Sequence, residues 1–161
     1  MNIKISVFSA EKKFEKFEKT TKKRAEKILK TLKIKNAAVE INLINNSKMR
    51  LINKKFRGKN MATNILSFVE SKNFPHPELK RGKSGPKNRF LGEIYLNINK
   101  VADFSGNKSH LGLDQLLAHG LLHLLGYIHN TKNDRMKMER KERGVLSRIT
   151  TNLNANSTNK Y

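Results

Sequence analysis

The segment from Gly112 to Gly126 leaves this chain the fewest choices. Leu113, Leu116, Leu117, Ala118, Leu121, Leu122, Leu124 and Leu125 give a helix there almost no polar side. A helix that is apolar all round belongs at the centre of a domain or in a membrane. This one is well short of the roughly 20 apolar residues that a bilayer crossing needs, so it predicts a central, buried helix covered by other elements. A chain of 161 residues is long enough to supply that cover as one domain. We place the domain at residues 1–147 and expect a polar, disordered tail over residues 148–161.

The covering elements show in the hydrophobic periodicity. Ile3, Ile5 and Val7 alternate, as do Val39, Ile41 and Leu43, and later Ile94, Leu96 and Ile98, which is the pattern of strands with one buried face. Ile65–Val69 is a short apolar run that suits a fourth strand. Between the first two strands, Phe14, Phe17, Ala25, Ile28, Leu29 and Leu32 fall at helical spacing, predicting an amphipathic helix over about Ala10–Leu32. A second helix carries Met49, Ile52 and Phe56, with Asn46 and Ser47 as candidate caps. Val101 and Phe104 begin a further helical turn, and Asp134–Leu146 reads as a last, charged helix. Pro75, Pro77, Pro86, Gly82 and Gly85 mark the charged stretch after Val69 as a loop. The expected fold class is α/β (α+β): a mixed sheet of about four strands flanked by helices, around the buried helix.

Composition narrows the chemistry. There is no cysteine, so disulfides, thiolate zinc sites and a thiol nucleophile are excluded, and any metal must rely on His, Asp, Glu or backbone. The start, MNIKISVFSA, alternates where a signal peptide would be continuously apolar, and a cytoplasmic location is expected. The formal charge of +21 favours a polyanionic partner but does not choose among RNA, DNA and an acidic membrane surface. Eleven Lys and Arg between Lys12 and Lys35 give the first helix a basic face, read either as a solvated surface or as a track for RNA. No tryptophan and only three tyrosines leave no visible platform for stacking bases, so weak sequence preference is expected.

Three of the five histidines lie within the run His119-Gly120-Leu121-Leu122-His123-Leu124-Leu125-Gly126-Tyr127-Ile128-His129. Residues four apart share a helix face, so His119 and His123 can direct two nitrogens to one point. Gly126 can end the helix in a left-handed conformation and turn the chain so that His129 reaches the same point. Three nitrogens leave a fourth tetrahedral position open, the arrangement of a catalytic zinc. Copper and nickel also accept imidazole. The same spacing in metzincin proteases begins His-Glu, the Glu serving as base. Gly120 removes that base and argues against a metallopeptidase; it is also expected to leave the metal face clear for a bulky substrate. His76 and His110 have no partner pattern.

The run HGLLHLLGYIH, with Met138 and Glu142 downstream, resembles the signature of the YbeY family of rRNA maturation endoribonucleases. FRGKNMATNILSF, from Phe56 to Phe68, resembles that family's second signature, and LGEI from Leu91 to Ile94 its following strand. The resemblance covers Ile3 to about Leu146. It implies a sheet flanked by helices, one zinc ion held by His119, His123 and His129, and cleavage of single-stranded RNA in 16S rRNA 3′ end maturation and ribosome quality control. The expected partners are single-stranded RNA, rRNA and the small ribosomal subunit, with no membrane and no DNA specificity. The family's functional arginine falls on Arg57, whose planar guanidinium can fork onto two phosphate oxygens; Lys59 is its expected companion in substrate binding. The chain departs from the pattern at Ile128, where Asp is usual before the third His, at Ala62, where proline is usual, and at Glu93, where Asp is common. The competing reading is a ribosome-associated RNA-binding factor whose metal site is mainly structural.

Overall fold

The structure, a computed structural model, describes residues 2–70 and 89–157. The proline-bearing stretch, His76 and the last four residues lie outside them. Strands β1 (Ile3–Ser9), β2 (Ala37–Ile44), β3 (Ile65–Val69) and β4 (Arg89–Asn97) form one sheet in the order β1-β2-β4-β3. β1, β2 and β4 run parallel and β3 is antiparallel to β4, so the sheet is mixed, as expected. Helices α1 (Glu18–Thr31), α2 (Asn46–Arg57), α3 (Ala102–Ser105), α4 (Leu113–Leu124) and α5 (Lys132–Ser157) complete the domain.

Side-chain alternation assigns each sheet face its cover. Val39, Ile41, Leu43, Ile94 and Leu96 join Ala25, Ile28, Leu29 and Leu113, Leu116, Leu117, Leu121 and Leu124 of α4 in the main core. Ile44, Leu66, Phe68 and Tyr95 point the other way, to a smaller core with Met49 and Ile52 of α2. The apolar helix is central: Leu113, Leu116, Leu117, Leu121, Leu122 and Leu124 are all buried, each such side chain contributing roughly 2 kcal/mol of hydrophobic stabilisation. α1 and α5 pack against it, and the Arg24 guanidinium, 2.7 Å from Asp114, ties α1 to its first turn. Asp103 accepts from the Leu113 N–H at 2.8 Å, so the turn before α4 caps it.

Local differences from the sequence reading have physical causes. The first helix is broken: residues Lys12–Phe17 form a 3-10 segment before α1 begins at Glu18. There Phe14 is buried and Phe17 stacks on Phe104 with ring centroids 4.1 Å apart. The cap of α2 is Asn45, which accepts from the Lys48 N–H, and neither Asn46 nor Ser47. Asn46 instead accepts from Asn97 at 2.8 Å. α5 continues to Ser157, past Leu146 and into the stretch expected to be a disordered tail; Ile149, just beyond the expected end, is a core residue. Thr131 and Asp134 bond each other's backbone N–H groups and start this helix with a capping box.

Two glycines predict opposite outcomes on substitution. Gly92 has φ +138 in β4, and a Cβ there would lie 2.1 Å from the Phe68 carbonyl oxygen. Gly92→Ala should therefore destabilise the domain by about 3 kcal/mol or more through clash and backbone strain. Gly144 lies mid-helix with nothing within 4 Å of an added Cβ, so Gly144→Ala should stabilise by about 1 kcal/mol. Urea unfolding of the two variants against wild type measures both.

Candidate metal centre and adjoining basic cleft

The two helical histidines reach one point because α4 ends where it does. The N–H of Gly126, φ +96, bonds the His123 carbonyl at 3.0 Å, and the N–H of Tyr127 bonds the Leu122 carbonyl at 3.0 Å. This is a Schellman closure with glycine at the left-handed position. The turn brings His129 back, and one nitrogen from each of His119, His123 and His129 lies within 4.8 Å of the others. His119 and His123 are half-buried and His129 is exposed.

The outer nitrogens fix the inner ones. His119 Nδ1 lies 2.6 Å from a carboxylate oxygen of Glu142, and His123 Nδ1 lies 2.9 Å from the Tyr127 carbonyl. Both partners accept, so both Nδ1 atoms carry the proton in the neutral rings. The two Nε2 atoms are then lone pairs facing each other at 3.1 Å. Two acceptors that close repel unless a cation lies between them, and tetrahedral zinc at about 2.0 to 2.1 Å from each would set them roughly 3.3 Å apart. The donor set therefore fits a metal ion. Burial, followed by repulsion from His119, lowers the His123 pKa; His129 and Arg57 push the same way against the Tyr127 carbonyl. The shift favours the neutral ring, the form that ligates.

Glu142 is the site residue whose role the sequence did not assign. It stands twenty-three residues from His119, on α5, and its side chain is only 17% exposed. Its spacing from the buried Met138 and Val145 was the available signal. The orienting partners are thus Glu142 and a backbone carbonyl, whereas the Ile128 side chain, just before His129, is 48% exposed. The reading of Gly120 is corrected: it faces the sheet and not the metal. A Cβ at Gly120 would meet Ile65, Ser67 and Ile94 side chains at 2.8 to 3.1 Å, so glycine lets α4 lie close on β3 and β4.

Arg57 ends α2, and with Lys59 it lines a cleft of about 380 Å³ together with Lys100 and His110. The histidine cluster is not part of that lining, yet the Arg57 charge is felt at His123. The cleft wall, residues 58–64, is held by buried amides. Asn53 donates to the Met61 carbonyl and Asn97 to the Thr63 carbonyl, at 2.8 and 2.9 Å. Lys100 Nζ donates to the Ala62 carbonyl at 2.8 Å. His110 meets Ser105 and Asn107 through its two ring nitrogens.

Glu142→Ala should weaken metal binding about 10- to 100-fold while leaving the fold intact, since it removes the group that orients His119. Competition against a chelating dye on wild type and variant reads this directly; equal affinities would mean that Glu142 plays no part in positioning the ligand.

The sequence profile described as Endoribonuclease YbeY matches residues 4–150. An Endoribonuclease YbeY from Thermodesulfovibrio yellowstonii is 35% identical, the alignment covering 92% of this chain and 99% of that one. The protein of the same name from Bartonella henselae is 37% identical over 81% of this chain and 80% of its own. The solution structure of a Thermotoga maritima protein aligns over 92% of this chain at 24% identity, with a TM-score of 0.47. With the profile spanning nearly the whole domain, the chain belongs to the endoribonuclease YbeY family, hydrolases of the nuclease class.

Proposed function

We propose that this chain is a zinc-dependent endoribonuclease specific for single-stranded RNA, acting in the cytoplasm on the 3′ end of 16S rRNA and in quality control of the small ribosomal subunit. The observation that carries the reading is the pair of imidazole lone pairs held face to face at 3.1 Å by Glu142 and the Tyr127 carbonyl. Family membership supplies the class of substrate.

His119, His123 and His129 would hold the ion. When bound, zinc supplies positive charge that acidifies a water toward neutral pH and polarises a phosphoryl oxygen. The chain's own residues do the rest. Glu142 and the Tyr127 carbonyl keep two imidazoles in the tautomer that presents Nε2. Arg57 forks onto two non-bridging phosphate oxygens and offsets the charge that builds on them in the transition state. It stands exposed at the end of α2, beside a wall that Asn53 and Asn97 hold in place. Lys59, exposed in the same cleft, adds charge for the flanking backbone.

The test is metal content by mass spectrometry alongside cleavage of a labelled single-stranded RNA. Wild type should carry about one zinc per chain, and His123→Ala should lose both metal and cleavage. Arg57→Ala should keep the metal and lose about 100-fold in kcat/KM. Cleavage that survives both a chelator and His123→Ala would overturn the reading.

A further inference from the structure

Helix α5 carries two stripes. Met138, Glu142, Val145 and Ile149 recur at helical spacing and turn inward, three into the protein interior and Glu142 onto His119. At about 100° per residue, Lys137, Arg140, Lys141, Gly144 and Arg148 form an adjacent stripe. With Lys33 and Tyr127 they wall a groove of about 620 Å³ that shares no lining residue with the Arg57 cleft.

The five cations of this groove are exposed, and among the described residues no acidic side chain lines it and none of the five is in an ion pair. Such a cluster repels itself and is relieved by a polyanion. By contrast, the hollow on α1 contains Glu26, which pairs with Lys30 at 2.7 Å, so its charge is partly answered within the chain. Gly144 lies along the groove with open space where a side chain would stand. Tyr127 joins the groove to the histidine cluster, because the same residue gives its carbonyl to His123. Among the described residues, the lining holds no exposed large apolar side chain of the kind that enters a lipid surface.

We infer that this groove is a second substrate subsite, which takes the phosphates of single-stranded RNA as the strand passes Tyr127 away from the histidine cluster. The inference rests on the nuclease reading above and adds the path of the substrate. Strand length then matters: an RNA too short to reach beyond the cluster gains nothing from α5.

The experiment compares the full-length wild type with Lys137→Ala/Arg140→Ala/Arg148→Ala, using RNAs of about four and about sixteen nucleotides and anisotropy across a salt series. The triple variant should bind the longer RNA about 10-fold or more weakly, with the slope of log K against log salt reduced by about 2, three contacts at roughly 0.7 each. Binding of the shorter RNA should not change. Gly144→Glu, a single change at an open position, should weaken the longer RNA in the same way, and Lys4→Ala, on the edge strand β1, should have little effect on either. If wild type binds and cleaves RNA and the triple variant matches it at both lengths, the groove assignment falls while the nuclease reading stands. If wild type neither binds nor cleaves, both fall. Loss of binding to vesicles rich in anionic phospholipid, with RNA binding unchanged, would give the groove to a membrane surface and overturn the proposal.

Discussion

The fold is arranged around one conflict on α4. Its leucines require burial on nearly every side, while two imidazoles on the same helix require polar partners. Angular sorting resolves it. The stripe of His119 and His123 meets α5 and the following turn, where a carboxylate and a carbonyl are waiting, and Gly120, a third of a turn away, lies flush on the sheet. A side chain at position 120 would lift the helix from β3 and β4 and disturb the histidines along with the core. The order β1-β2-β4-β3 serves the same end, since it places β3 and β4 under α4.

The few acidic residues help to explain how so basic a chain holds together. Several are committed to structure: Asp114 to Arg24, Asp103 and Asp134 to the starts of α4 and α5, Glu142 to His119. From residue 41 to residue 69 there is no Asp or Glu, while Lys48, Arg50, Lys54, Lys55, Arg57 and Lys59 are all present. The net charge of +21 is therefore not evenly spread, and stretches of surface are left with cations alone.

Much of this was legible in the sequence because it is local. Alternation in Val39–Leu43 and in Ile94–Leu96 marked strands, and the spacing of His119, His123 and His129 with Gly126 marked a cluster and the turn that closes it. What escaped depends on partners distant in the chain. Asn97 reaches Asn46 and Thr63 across the fold, and Glu142 meets His119 from another helix; no short window contains either pair. The length of α5 was underestimated for a related reason: Thr150 and Thr151 read as polar tail, but Ile149 beside them is anchored in the core. The face that Gly120 presents could not be read before the position of the sheet was known.

Tyr127 contributes both of its backbone groups to the site: its N–H closes the end of α4 and its carbonyl orients His123. Helix termination and ligand geometry are therefore one event. If the last turn of α4 frays, the His123 ring loses its anchor and His129 loses its approach together, so the half-open chain has no intermediate-affinity version of the site. An ion held by the three histidines would favour the closed turn over the frayed one, and so would act as a latch on the helix terminus from which the rest of the cluster hangs.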